Sequence, residues 1–253
     1  MHVLNDLREW APLFGRGIAA TLEASVISMT LASVLGLLIA LARIATLPRA
    51  LWIIPVALRA YVEVLRGLPV IVTLFIIYFG LPTVGITISS NPLVAGILGL
   101  TLSLGAYLSE VFRAAVLSVD PGQMEASLSL GMSPRLGYQR IVIPQALLVA
   151  VPTLGSYFIG LLKDSSLLGF ISVFNLMRSG MIIVTVTFKA FEVYFTIGAI
   201  YLAMSLIAAW GVSKIERHLR PLEQAYTGKP PKAGVRDAII GKEELVNPGQ
   251  VSR

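Results

Sequence analysis

Long apolar stretches separated by short polar ones dominate the pattern of the chain. Four stretches run for more than about 18 residues with almost no charge, the length that a helix needs to cross a bilayer. One of them, 67–109, is long enough for two crossings joined by a turn. The pattern therefore predicts an all-α membrane protein with five transmembrane helices. We place them at Ile18–Arg43, Val64–Gly80, Leu93–Val116, Ile143–Leu162 and Phe191–Val212.

Two further apolar segments are too short or too charged to cross a membrane. Ser165–Met177 runs for only about a dozen residues, which suits a re-entrant or interfacial helix better than a span. Leu47–Tyr61 mixes aliphatic residues with arginine, and we expect it to lie along the cytoplasmic membrane surface. Pro55 is expected to kink or split a helix there, because proline lacks an amide hydrogen and clashes with the preceding turn.

The composition agrees with a membrane protein and excludes several other classes. Of the 253 residues, 56% are hydrophobic and only 13% are charged, whereas soluble domains carry about 25% charged residues. The absence of cysteine excludes disulfides and cysteine-ligated metals. His2 and His218 lie far apart in sequence, so no metal site is predicted. The spans offer no clustered nucleophile or paired catalytic carboxylates, which argues against a membrane enzyme. Trp10, Trp52 and Trp210 are expected to anchor the protein at the membrane interface.

The positions of the basic residues predict the orientation of the chain. Cytoplasmic loops carry an excess of lysine and arginine, and the loop between the second and third spans has none. The N-terminus is therefore expected outside and the C-terminus inside. The net charge of +6 comes from these loops and does not indicate a nucleic-acid partner. Three basic residues do not fit this orientation, because they lie in a segment that should face outside: Lys163, Arg178 and Lys189.

This orientation divides the chain into three parts. Residues 1–17 form an external N-terminal segment, residues 18–217 form the transmembrane domain, and residues 218–253 form a cytoplasmic tail. Proline, glycine and charged residues interrupt any periodicity in the tail. We therefore expect Gln224–Arg253 to be flexible or loosely packed.

The most distinctive polar segment is the loop 120–144, between the third and fourth spans. Asp120-Pro121 is a helix start, with a capping residue before a proline at the first helical position. Gly131 supplies a left-handed stop. Ser133-Pro134 repeats the start signal. The loop is therefore predicted to hold two short helices at an angle to each other.

One face of the first short helix is apolar. Met124 and Leu128 lie four residues apart and share that face. The two short helices, with this apolar face exposed, could bind in a groove on a partner protein. They could then transmit the partner's motion to the third and fourth spans. The alternative is an interfacial helix that only anchors the loop.

The loop reads EASLSLGMSPRLGYQRIVIP over residues 125–144. This segment resembles the Glu-Ala-Ala loop of the permease subunits of ABC importers, in which Glu-Ala-Ala is followed by three residues, Gly, nine residues and Ile-x-Leu-Pro. Small changes occur at two positions, where Ser127 replaces the second alanine and Ile143 replaces leucine. The matching positions are Glu125, Ala126, Gly131, Ile141 and Pro144.

Other motifs resemble the polar amino acid branch of the same family, and the resemblance covers roughly Ile18–Arg217. Leu68 and Ser165 stand where that branch usually has threonine. The motifs are Tyr61–Pro69 (YVEVLRGLP), Gly105–Arg113 (GAYLSEVFR), Pro121–Ala126 (PGQMEA) and Lys163–Leu167 (KDSSL).

The resemblance implies the fold of a type I ABC importer permease in a bacterial cytoplasmic membrane. It implies that the loop is a coupling helix that docks on a separate ATPase, and that an extracytoplasmic binding protein delivers a polar amino acid or a close relative. Cationic, neutral and sulfur-containing amino acids and opine-like compounds all remain open. So does the choice between two copies of this chain and a pairing with a homologous permease. The residues implied in coupling are Glu125, Ala126, Ser127, Gly131 and Pro134.

The chain has no motif for holding ATP of its own. A phosphate-binding loop reads Gly-x-x-x-x-Gly-Lys followed by Ser or Thr, and no such string occurs. Gly228-Lys229 is followed by proline, and Gly241-Lys242 by glutamate. We therefore expect this chain to be a translocation subunit rather than an enzyme and to bind no cofactor, with ATP and magnesium on the partner ATPase. Five spans are also few for enclosing a path, so two permease subunits are expected to pair.

Charged residues inside or beside the spans are candidates for the substrate path or its gate. Glu110 either pairs locally with Arg113, three residues on, or faces the path and ties helices at the gate. Lys163-Asp164 is either a neutralised pair at a helix end or a substrate site built on freed backbone groups. The full set of candidates is Glu63, Arg66, Tyr107, Glu110, Lys163, Asp164 and Ser165.

The charged residues also allow a different class of transporter. An ion-coupled secondary carrier of amino acids could use Glu110 or Asp164 as its protonated group. That alternative accounts for acids at membrane depth but leaves the loop 120–144 without a role.

Overall fold

The computed structural model describes residues 2–45 and 52–227, which form helices joined by short turns. The predicted all-α class is confirmed for the described residues. Within this part of the chain, four helices, which begin at His2, Pro92, Pro134 and Ala190, are long and apolar enough to cross a membrane, and a bent pair that begins at Ile53 can form a fifth span. The helices are α1 (His2–Ile44), α2 (Ile53–Gly67), α3 (Val70–Thr83), α4 (Pro92–Leu117), α5 (Pro121–Ser129), α6 (Pro134–Ile171), α7 (Leu176–Thr187) and α8 (Ala190–Thr227).

A sharp elbow breaks the second predicted span. α2 and α3 meet at an angle of 111°, and Leu68 between them has extended backbone, with φ −92° and ψ 138°. The cause is Pro69, because proline disfavours helical backbone in the residue before it. The second predicted span, Val64–Gly80, is therefore a bent pair of helices, and its residues 64–67 belong to α2.

The other proline expected to disturb this region has no such effect. Pro55 lies in the first turn of α2, where amide groups have no partner within the helix in any case. The expectation that Pro55 kinks or splits the helix is therefore wrong. Residues 46–51, which begin the predicted surface segment, lie outside the described residues.

Two helices contain a wide turn just before a proline. Ile76–Gly80 in α3 and Tyr138–Val142 in α6 have π-helical backbone, and Pro82 and Pro144 follow two residues after each of these turns. A wide turn accommodates the missing amide and the bulky ring of proline without ending the helix. As a result, the second short helix of the loop runs directly into the fourth span.

Within the described residues, the most extensive contact between two helices joins α1 to α4, and small residues line it. Ala32 is fully buried, and a Cβ atom added at Gly36 would lie 2.9 Å from the backbone nitrogen of Ser109. A Cβ atom added at Gly105 would lie 2.8 Å from Leu35. Close backbone approach between small residues is how membrane helices gain van der Waals contact when lipid is as apolar as their side chains.

The N-terminal segment is continuous with the first span. α1 begins at His2, and Trp10 and Phe14 are buried against Leu176 and Val193. Trp10 is only 6% exposed, so its expected role as an interface anchor is wrong. Trp52 and Trp210 are both exposed.

The segment Ser165–Met177 is a largely buried connection between α6 and α7, with Phe170 and Phe174 exposed. Residues Ser165–Ile171 tighten into a 3₁₀ turn at the end of α6, and Ser172 reverses the chain with a positive φ of 67°. Asn175, 1% exposed, donates to the Ser165 carbonyl over 2.8 Å and accepts from the Arg178 amide over 2.8 Å. These hydrogen bonds hold the end of α6 against the start of α7.

The last helix extends further than the sequence suggests. α8 continues to Thr227 with Pro221 inside it, so residues 218–227 are helical rather than part of an irregular tail. Residues 228–253 lie outside the described residues.

Candidate functional site

The loop 120–144 has the two capped helices that its sequence predicts. The Asp120 carboxylate accepts from the Gly122 amide over 2.8 Å, and the Ser133 hydroxyl accepts from the Leu136 amide over 3.4 Å. Gly131 has a φ of +79°, the left-handed backbone that glycine adopts at low cost. Local sequence therefore defines this loop without help from distant contacts.

The two short helices of the loop pack closely at one glycine. A Cβ atom added at Gly137 would lie 2.7 Å from the Ser127 hydroxyl and 2.8 Å from the Met124 sulfur. Met124 thus faces into the loop and does not contribute to the exposed tip, although it lies four residues before Leu128 on the same helix. The apolar tip consists instead of Leu128 and Leu130, which are 43% and 83% exposed.

The residues implied in coupling fall into two groups. Ser127 is only 3% exposed and donates to the Met124 carbonyl over 2.7 Å, so it contacts the loop itself. The others are exposed on the outer side of the loop and are accessible to a partner: Glu125, Ala126, Gly131 and Pro134.

A cavity of about 350 Å³ lies between α3, α4 and α6. It brings together two of the predicted site residues, Tyr107 from α4 and Asp164 from the end of α6. The rings of two lining residues, Tyr107 and Tyr157, contact each other with their centroids 6.1 Å apart. We call this space the α4–α6 cavity. Its lining is Val70, Leu100, Ser103, Leu104, Tyr107, Ser156, Tyr157, Gly160, Leu161 and Asp164.

One lining residue, Ser103, has an unusual environment. It is 2% exposed, and its hydroxyl has no hydrogen-bond partner in the described structure. A buried polar group without a partner is costly unless water or a ligand satisfies it. The sequence reasoning missed Ser103 because a serine among small residues in a span also suits helix packing.

Tyr107 also connects the cavity lining to the end of α2. The Tyr107 hydroxyl donates to the Arg66 carbonyl over 2.9 Å, and the Arg66 guanidinium lies over the Tyr107 ring, 5.5 Å from its centroid. Within the described residues, Glu63 and Arg66 form no ion pair, although their spacing would allow one. Glu63 is exposed and does not line the cavity.

Glu110 is bound by two arginines. Arg113, on the same helix, donates to one carboxylate oxygen over 2.8 Å, as the spacing predicted. Arg43, at the end of α1, donates to the other oxygen. Glu110 therefore pairs locally and also ties two helices together. From the sequence, Arg43 is expected only to be a cation of a cytoplasmic loop, because basic residues at the end of a span normally act as orientation signals.

The three residues at the end of α6 separate in space. Asp164 lines the cavity, whereas Lys163 is exposed and does not line it. The described structure has no ion pair between them. Ser165 is fully buried and donates to the Leu162 carbonyl over 2.7 Å, which gives it a part in the turn rather than in the cavity lining.

The helical fold, the capped loop and the cavity define a membrane permease subunit. Residues 32–221 match the family described as the inner membrane component of binding-protein-dependent transport systems, and the chain belongs to this family.

Curated relatives of similar length are named as permease proteins of transport systems. The glutamine transport system permease protein of Escherichia coli (strain K12) is 33% identical over 211 residues, 83% of this chain and 94% of the relative. The L-cystine transport system permease protein of Bacillus subtilis (strain 168) is 33% identical over 222 residues, 86% of this chain and 91% of the relative. A probable amino-acid permease protein of the same organism is 37% identical over 197 residues, 78% and 86% of the two chains.

Solved structures have the same fold. A crystal structure of an amino acid ABC transporter with histidines superimposes with a TM-score of 0.78 at 36% identity, covering 84% of this chain and 97% of the other. An inward-facing methionine ABC transporter gives a TM-score of 0.67 at 23% identity, covering 82% and 96%. The second likeness supports the fold alone.

Proposed function

We propose that this chain is the translocation subunit of an ATP-driven importer of a polar amino acid or a related compound. The observation that carries the proposal is the α4–α6 cavity, which Asp164, Tyr107 and Ser103 line within a permease fold. A carboxylate can bind the ammonium group of an amino acid. A buried hydroxyl can satisfy a further polar group of the same ligand.

The remaining candidates take supporting roles in this proposal. Tyr107 and Arg66 border the path, and Glu110 holds α1 against α4 near its cytoplasmic end. Glu63, Lys163 and Ser165 do not reach the cavity lining, so we assign them no contact with substrate.

The energy source is a separate ATPase that binds the loop 120–144 and carries ATP and magnesium. The exposed outer side of the loop, with Glu125, Ala126, Gly131 and Pro134, is the docking surface in this proposal. An extracytoplasmic binding protein delivers the substrate, and a second permease subunit completes the path. The distribution of basic residues supports a cytoplasmic position for the loop and an outer position for the N-terminus.

The docking surface can be tested with matched substitutions. Glu125→Lys and Gly131→Asp should leave the protein in the membrane but abolish co-purification of the ATPase. Gly85 is the control for Gly131, because it also has a positive φ, +83° against +79°, and neither glycine has other atoms around its Cβ position. Gly85→Asp imposes the same backbone strain in the turn between α3 and α4. Glu216→Lys in α8 is the control for the charge reversal.

Two outcomes would contradict the proposal. Retention of the ATPase by both loop variants would exclude the loop as the docking surface. Uptake that survives ATP depletion and collapses with the proton gradient would favour the ion-coupled carrier. The binding of Glu110 by two arginines supports the ATP-driven proposal, because it leaves that acid poorly suited to release and rebind a proton.

A further inference from the structure

Two tyrosines join α2 to α4 by hydrogen bonds that run in opposite directions. Tyr61 on α2 donates to the Leu102 carbonyl on α4 over 2.7 Å. Tyr107 on α4 donates to the Arg66 carbonyl on α2 over 2.9 Å. Both bonds join a side chain to a backbone carbonyl of the other helix, so the two tyrosines form a matched pair.

Only one of these tyrosines borders the α4–α6 cavity. Tyr107 lines it and contacts Tyr157, another lining residue, whereas Tyr61 is not part of the lining. Any molecule that fills the cavity must therefore contact the Tyr107 ring. It does not contact the Tyr61 ring.

The carbonyl that Tyr107 binds lies at the elbow between α2 and α3. Arg66 is the next-to-last residue of α2, so its carbonyl is among those that the helix leaves without a partner. Gly67, which follows, has no atoms within 4 Å of its Cβ position. The Tyr107 hydrogen bond therefore joins α4 to the last turn of α2, directly beside the elbow that Pro69 causes.

We propose that Tyr107 is a positioning residue that couples occupancy of the α4–α6 cavity to the angle between α2 and α3. A molecule that displaces the Tyr107 ring withdraws its hydroxyl from the Arg66 carbonyl and releases the elbow. The role as a substrate sensor rests on the proposed function, because it takes the substrate to be the occupant of the cavity. The mechanical connection between Tyr107 and the elbow does not depend on which molecule is bound.

The connection can be tested without any substrate. The chain has no cysteine, so Gly67→Cys provides a single reactive thiol at the elbow of the full-length protein. In that background, a maleimide spin label is attached to this thiol, at a position where Gly67 is exposed. Tyr107→Phe removes the hydrogen bond and keeps the ring, and we expect the rate of reorientation of the label to rise up to about fivefold, the effect of losing one hydrogen bond. Tyr61→Phe is the control and should leave the rate unchanged. Equal rates in the two variants would overturn the proposal.

The coupling to substrate is tested in the assembled importer. The complex with its ATPase and binding protein is reconstituted in lipid nanodiscs, and ATP hydrolysis is measured with and without glutamine, histidine, arginine or cystine. For the amino acid that stimulates the wild type most, Tyr107→Phe should abolish the difference between the two rates, and Tyr61→Phe should retain it. Wild-type stimulation in Tyr107→Phe, or the same loss in both variants, would overturn the sensor role. Because the labelling experiment contains no amino acid, its result is independent of the proposed function.

Discussion

Arg43 at the end of α1 donates a hydrogen bond to Glu110 in α4, a residue 67 positions further along the chain. The side chains of the two residues are 12% and 20% exposed. Arg113 occupies the other carboxylate oxygen of Glu110 over 2.8 Å, so one acid neutralises part of the charge of two arginines. The cluster links the first and third spans near the end where the loop 120–144 begins.

Removal of the acid should destabilise the protein strongly. Glu110→Gln leaves two arginines side by side without a counter-charge, and breaking a pair that is only partly buried costs up to about 3 kcal/mol. We expect a clear fall in the thermal unfolding temperature of the protein purified in detergent. Glu63→Gln is the matched control, since Glu63 is exposed and should change stability by less than about 0.5 kcal/mol.

The two arginines should not be equivalent. Arg113→Gln should cost less than Arg43→Gln, because the Arg113 side chain is 35% exposed and Arg43 still balances Glu110. The same loss of unfolding temperature in Glu110→Gln and Glu63→Gln would show that the cluster does not hold the helices together.

Close packing of α1 on α4 should make Gly36 intolerant of any side chain. Gly36→Ala places a Cβ atom 2.9 Å from both the Ser109 nitrogen and the Leu108 Cβ, and the helices must move apart. Overpacking of this kind costs about 1–3 kcal/mol. Gly198→Ala in α8 is the control, because nothing lies within 4 Å of its Cβ position and alanine favours the helix. Thermal unfolding of the two variants should change in opposite directions, and equal stability would contradict the packing argument.

The Ser103 hydroxyl should matter for transport more than for stability. Ser103→Ala removes a hydroxyl without a protein partner from the cavity lining, so we expect a half-saturation concentration for uptake raised about fivefold, the effect of one lost hydrogen bond. Thr73→Val is the control, because the Thr73 hydroxyl is also buried and unpartnered but does not line the cavity. Uptake is measured in proteoliposomes that contain the complete importer. An unchanged half-saturation concentration in Ser103→Ala would exclude this residue from the substrate site.

The sequence predicted the spans and the loop because these features depend on local properties. Apolar length decides which helices can cross a bilayer, and the five predicted spans correspond to the four long helices and the bent pair. In the loop, Asp120 and Ser133 cap helices whose amides lie two or three residues away. Gly131 takes the left-handed backbone that follows from its own lack of a side chain.

Predictions from local sequence were less reliable at the elbow and in the segment Ser165–Met177, where one sequence pattern is compatible with two structures. The elbow at Pro69 follows from a known restriction on the preceding residue. Gly67 and Pro69 allow close packing or a kink, but the sequence does not indicate a bend as large as 111°. The segment Ser165–Met177 is apolar because it is buried among other helices, and a buried connection and an interfacial helix have similar composition.

Only the tertiary structure brought Arg43 to Glu110, Tyr107 to the Arg66 carbonyl, and Ser103 and Asp164 to one cavity. The sequence by itself determined the class of protein and the shape of the loop, since hydrophobic length and capping act within one or two turns of a helix. The pairing of charges and the lining of the cavity depend on how helices far apart in sequence cross. Those crossings are decided by contacts such as Gly36 against Ser109, which the order of residues alone does not reveal.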